Sequence, residues 1–106
     1  MRHLRAEVVH TDFDCFPFVA SIRFPLADGG TASVSDKWPV VAVHTPDPGT
    51  PHPLPLDLAC VVQRVERDAL GRAVATVELA HGVTDAAGNG VFVVPTDQLT
   101  GTQETD

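Results

Sequence analysis

The sequence lacks the features that mark several large classes of protein. No stretch approaches the roughly 18 consecutive apolar residues of a membrane span, and residues 1–7 lack the apolar segment of a signal peptide. The seven Lys and Arg residues form no long run, whereas binding to a phosphate backbone requires concentrated positive charge. We therefore expect a cytoplasmic protein that binds neither a membrane nor a nucleic acid.

Spacings typical of metal and catalytic sites are also scarce. The five His and two Cys residues form no CxxC or HExxH motif. Cys60 could approach His81 across paired strands, but its apolar sequence neighbours predict a buried, unreactive thiol. The alternating His10, Asp12 and Asp14 would share one face of a strand, so a small metal-binding protein stays open as an alternative. We predict no catalytic residue and no cofactor.

What the sequence does contain is an alternation of apolar and polar residues. In residues 16–43 and 58–79 the period of two is that of half-buried strands, and each stretch turns back at a glycine. Gly29 and Gly30 follow Asp28 in the first turn, and Gly71 lies in the second. The pattern predicts an all-β protein, a small antiparallel barrel or sandwich of about five to seven strands.

The chain length of 106 residues suits one domain. We expect a single β domain over residues 1–100, interrupted by a proline-rich loop at 45–55, and a flexible polar tail at 101–106. Pro39 cannot donate a ladder hydrogen bond, so it predicts a bulge, corner or edge before a strand at 40–43. Trp38 beside it is expected to fill one end of the barrel.

The proline-rich loop is the best candidate for an interaction surface, because a preformed extended loop loses little entropy when a partner docks on it. Asp47 and His52 give this loop polarity, and Leu54 offers an apolar anchor. We predict that these three residues and Trp38 bind a partner. The alternative is an ordinary long connection that covers one end of the barrel.

Several segments carry a resemblance to a known family. They are an aromatic-proline segment at 16–20, the Asp-Gly turn at 28–29 and the Lys-Trp-Pro-Val-Val sequence at 37–41. These segments resemble a family of small uncharacterised bacterial β-barrel proteins that has no known activity. The closing segment at 92–99 is similar to SH3-like small barrels, which include adaptors, enzyme accessory subunits and toxin-neutralising proteins. The resemblance implies an SH3-like barrel and names no activity.

The net charge of −7 favours a basic partner through electrostatic steering. We therefore predict a non-enzymatic protein-binding module, in its sharpest form an immunity or inhibitor protein that neutralises a basic toxin or enzyme. The alternatives are an accessory or regulatory subunit of a larger enzyme complex and the small metal-binding protein mentioned above. The sequence leaves the oligomeric state open.

Overall fold

The computed structural model describes residues 2–14, 16–41 and 49–101, and these form a curled antiparallel sheet of seven strands. A four-residue helix and two single 3-10 turns interrupt the strands. The strands are β1 (Arg2–Asp12), β2 (Val19–Pro25), β3 (Thr31–Lys37), β4 (Leu54–Arg67), β5 (Ala73–Leu79), β6 (Val91–Pro95) and β7 (Leu99–Thr100). The helix is α1 (Trp38–Val41), and the 3-10 turns are Ala80–Gly82 and Thr96–Gln98. The predicted all-β class is confirmed.

The pairing of the strands shows that the sheet is curled into a half-barrel. Six strands lie in the order β3-β2-β1-β4-β5-β6, and β7 returns to pair with β1, where Leu99 lies opposite Leu4. On the far side, the backbone N–H of Ala27 in the β2–β3 turn donates to the Val93 carbonyl of β6 at 3.0 Å. The two ends of the sheet therefore approach each other. Among the described helices, none is long and apolar enough to cross a membrane.

Alternation along the strands builds the core as the sequence predicts. In β2, Ala20, Ile22 and Phe24 are buried while Arg23 faces solvent. Burying an Ile or Phe side chain stabilises a fold by roughly 1.5–3 kcal/mol, so these positions fix the register of the strand. The buried cluster comprises Leu4, Ala6, Val8, Ala20, Ile22, Phe24, Ala32, Val34, Trp38, Leu58, Cys60, Ala75, Val77, Leu79, Val83 and Val94.

A β-bulge in β1 changes which side chains face inward. The pairing with β2 shifts between Val8 and His10, so Val9 and His10 both point outward. A bulge adds one residue to one strand, and the inward alternation resumes one position later. As a result Thr11, a polar residue, is directed into one end of the core.

Three hairpin turns share one five-residue geometry, at residues 26–30, 68–72 and 85–89. In each turn the N–H of the first residue donates to the carbonyl of the fifth at 2.8–2.9 Å. The fourth residue is a glycine with positive φ, from +79° to +90°, as expected for a type I turn closed by a glycine bulge. For the third turn, the sequence predicts a hairpin turn formed by Asn89 and Gly90. The choice of residues is wrong, because the turn spans residues 85–89 and Gly88 occupies its left-handed position.

Two boundaries around the proline-rich segment also differ from expectation. The interruption at Pro39 is confirmed, but Pro39 lies in the first turn of α1 instead of preceding a strand, because proline fits the first turn of a helix. Residues 42 and 43 of the expected strand lie outside the described part of the chain. The loop predicted to run through residue 55 ends earlier, because Leu54 already pairs with Val8 as the first residue of β4.

Candidate functional site

A hydrogen-bonded network occupies the end of the half-barrel where β1 terminates. The hydroxyl oxygen of Thr11 lies 2.9 Å from Nε2 of His52 and 3.3 Å from Nε1 of Trp38. Nδ1 of His52 lies 2.9 Å from the Thr50 carbonyl oxygen. Thr11 and Trp38 are each only 4% exposed, and His52 is half-buried. The network therefore joins β1, α1 and the end of the proline-rich segment.

The partners fix the direction of each hydrogen bond when the imidazole is neutral. A carbonyl oxygen only accepts, so the proton lies on Nδ1 of His52 and its Nε2 accepts from the Thr11 hydroxyl. The indole N–H of Trp38 only donates, so the Thr11 oxygen accepts from it. Every donor in this chain of hydrogen bonds consequently has an acceptor.

The geometry of the network favours a structural role for Thr11 and His52 over a catalytic one. A hydroxyl bonded to a histidine is the arrangement of an activated nucleophile, but a nucleophile must also be accessible to substrate. Thr11 is buried, and the third group beside His52 is a carbonyl rather than a carboxylate. Each such hydrogen bond contributes about 1 kcal/mol of net stability. We interpret the network as the attachment of the proline-rich segment to the sheet.

The predicted partner-binding residues are distributed differently from the expectation. Trp38 belongs to the buried core, so its ring is not part of the surface. Leu54 is half-buried against that core, and His52 belongs to the network just described. Trp38 and Leu54 pack in or against the core because α1 and β4 direct their side chains inward. Asp47 lies outside the described residues, and partner binding by all four stays a prediction.

The connection between β1 and β2 presents an aromatic surface that alternation does not predict. We name Phe13, Phe16 and Phe18 the aromatic corner. The ring centroid of Phe18 lies 4.9 Å from that of Phe13 and 6.1 Å from that of Phe16, both edge to face. Phe16 is 91% exposed. The period of two assigns Phe16 to a strand, but β2 begins only at Val19.

Acidic residues flank the aromatic corner. Asp14 is exposed, and no Lys or Arg of the described ranges forms an ion pair with it. Its backbone N–H donates to a carboxylate oxygen of Asp12 at 2.9 Å, which bends the chain out of the strand. The expectation that His10, Asp12 and Asp14 share one strand face is therefore wrong, since β1 ends at Asp12. No group of three potential metal ligands is found within the described segments.

Cys60 and His81 do not form the catalytic pair considered above. Cys60 is a free thiol in the core, where burial raises its pKa against the weaker opposing effect of the nearby Arg2. His81 is exposed and adopts a left-handed conformation with φ of 61°. It lines an open cavity of about 480 Å³ together with His3 and Asp57, and Cys60 does not line that cavity. The predicted burial of Cys60 is confirmed.

No protein-family model, curated protein or solved structure matches this chain. The resemblance to small bacterial β-barrel proteins therefore stays a prediction. What the structure establishes is the curled all-β fold, and the aromatic corner is its most exposed aromatic feature among the described residues.

Proposed function

We propose that this protein is a non-enzymatic protein-binding module whose contact surface is centred on Phe16. The observation that carries the proposal is the 91% exposure of this phenylalanine. Burying such a side chain in a complex is worth roughly 1.5–3 kcal/mol, and large aromatic anchors dominate the energy of many interfaces. An exposed aromatic ring of this kind is a favourable contact for a partner.

The aromatic corner is held in place by its neighbours. The rings of Phe16 and Phe18 lie edge to face, and the Phe18 carbonyl accepts a hydrogen bond from the backbone N–H of Trp38 at 2.9 Å. Trp38 is in turn fixed by Thr11 and the core. A surface that is ordered before binding loses less conformational entropy in the complex. The attachment of Phe18 to Trp38 therefore supports a role of the aromatic corner in recognition.

Charge favours a basic partner. The chain carries a net charge of −7, and the exposed Asp14 lies next to the corner in sequence. Opposite charge on a partner would accelerate association and weaken with added salt. An immunity or inhibitor protein that neutralises a basic toxin or enzyme is the sharpest form of this proposal.

We also propose a specific type of barrel and a cellular location for this protein. The return of β7 to β1 after a 3-10 turn supports an SH3-like barrel of the bacterial type that the sequence resembles. The sequence, which contains no long apolar run, supports a cytoplasmic location.

Affinity capture with three tagged proteins tests the proposed surface. Wild type, Phe16→Ser and Leu70→Ser are compared at low and moderate salt, with captured proteins identified by mass spectrometry. Leu70 is the matched control, because it is 78% exposed and lies in the hairpin turn at 68–72. We expect a basic partner that is lost with Phe16→Ser and kept with Leu70→Ser. Equal retention by both variants would contradict the assignment of the contact to Phe16.

A further inference from the structure

The second half of β4 has an open edge. The ladder between β1 and β4 ends where Arg2 lies opposite Cys60, and beyond that pair β4 continues to Arg67 with β5 as its only strand partner. Across the described parts of the chain, no other backbone group hydrogen-bonds to residues 61–67. The pairing with β5 shifts between Val62 and Arg64, and beyond this bulge it is regular to Arg67. Every second N–H and C=O along the regular part of the edge is therefore available to another strand.

The side chains of this edge are exposed and alternate in character. Val65 is 58% exposed, and on either side of it the side chains of Arg64 and Glu66 are 70% and 56% exposed. Proteins often protect an open edge with charged side chains, which repel a second strand that carries the same charge. Here the two charges have opposite signs, lie two residues apart and form an ion pair with each other at 3.4 Å within the chain. In an antiparallel copy, each of them can exchange this ion pair for one with the opposite charge of the partner.

We propose that a second copy of this chain pairs with the β4 edge in antiparallel fashion, about a two-fold axis that passes beside Val65. Such an axis places the central residue opposite its own symmetry mate. The two Val65 side chains then meet at the centre. Arg64 lies opposite Glu66 of the partner subunit, and the reverse pair forms on the other side of the axis.

The charge pattern selects this register over its neighbours. An axis at Arg64 would place two arginines directly opposite each other, and an axis at Glu66 would do the same with two glutamates. Like charges at directly opposed positions destabilise a strand pair, whereas opposite charges and paired β-branched residues stabilise it. The Val65 register yields two ion pairs and one valine pair.

Sedimentation equilibrium of charge variants tests the dimer. Wild type should increase in mass with concentration, from 11.3 kDa toward twice that value, and more weakly at high salt. Glu66→Arg should weaken association at least tenfold, because it opposes two pairs of arginines. The double variant Arg64→Glu/Glu66→Arg restores both ion pairs and should restore association. Asp97→Arg makes the same change in net charge at an exposed position away from β4 and should associate like wild type.

Two results would overturn the proposal. One is a wild-type protein that stays monomeric at every concentration up to the millimolar range. The other is a Glu66→Arg variant that associates as wild type does, because the ion pairs between Arg64 and Glu66 would then not hold the two strands together.

Crosslinking tests the register separately. In a Cys15→Ser background, a Val65→Cys variant should form an intermolecular disulfide on mild oxidation, because that residue meets itself at the axis. Gln63→Cys should crosslink much more slowly. Equal rates for the two variants would contradict the Val65 register.

Discussion

Replacing Thr11 with valine tests the hydrogen-bonded network at the end of the half-barrel. Valine has nearly the same shape as threonine, so Thr11→Val removes the hydroxyl and both of its hydrogen bonds without opening a cavity. The indole N–H of the buried Trp38 then has no acceptor, which costs about 1–3 kcal/mol. His52 is half-buried, so water can replace its lost partner. We expect a loss of about 2 kcal/mol in the free energy of unfolding.

Urea denaturation followed by Trp38 fluorescence measures this loss, because Trp38 is the sole tryptophan. For a slope of about 1.3 kcal/mol per molar urea, the midpoint should fall by about 1.5 M. Thr76→Val is the matched control, since Thr76 is also buried but its hydroxyl makes no hydrogen bond with the described residues. That variant should unfold within about 0.5 kcal/mol of wild type.

A second background separates the hydrogen bond from general packing. Trp38→Phe removes the indole N–H, so adding Thr11→Val to it should cost clearly less than in wild type, as followed by circular dichroism. An unchanged midpoint for Thr11→Val, or an equal cost in both backgrounds, would refute the role assigned to the network.

Three further predictions concern the turns and the core. Backbone N–H groups donate to the carboxylates of Asp68 and Asp85 and lower their pKa values, so their contribution to stability is present at neutral pH and is lost as the pH falls through the lowered values. Melting curves should therefore show that Asp68→Asn/Asp85→Asn loses less stability than wild type on acidification, and parallel acid limbs would contradict this. Cys60, in a Cys15→Ser background, should react with a thiol reagent only as fast as the protein unfolds, whereas rapid labelling of the native protein would show an accessible sulfur. Gly29→Ala should lower the free energy of unfolding by about 1 kcal/mol, because Gly29 has a φ of +90°. An unchanged melting temperature would count against that strain.

Local patterns made the strands and hairpins predictable. The alternation through Ile22 and Val34 assigns their faces correctly, and the Asp-Gly turn at 28–29 lies where β2 and β3 meet. These features depend on residues close in sequence, where the period of a strand and the conformational freedom of glycine act directly.

The candidate site depends on contacts that no local pattern contains. Thr11 and His52 lie 41 positions apart, and Thr11 points inward only because of the bulge after Val8. Alternation also fails to predict the exposure of Phe16, because it assigns this apolar residue to a strand that begins only at Val19. The sequence shows which residue types are present at these positions. It does not show that the bulge turns Thr11 inward, or that the late start of β2 leaves Phe16 exposed.

The affinity of the captured partner for purified variants tests the central claim most directly. Titration calorimetry compares wild type, Phe16→Ser and Leu70→Ser at two salt concentrations. Loss of an aromatic anchor typically costs at least about 2 kcal/mol, so Phe16→Ser should weaken binding by about 30-fold or more. Leu70→Ser should bind like wild type, and added salt should weaken all three complexes. Wild-type affinity in Phe16→Ser would contradict a partner surface centred on the aromatic corner.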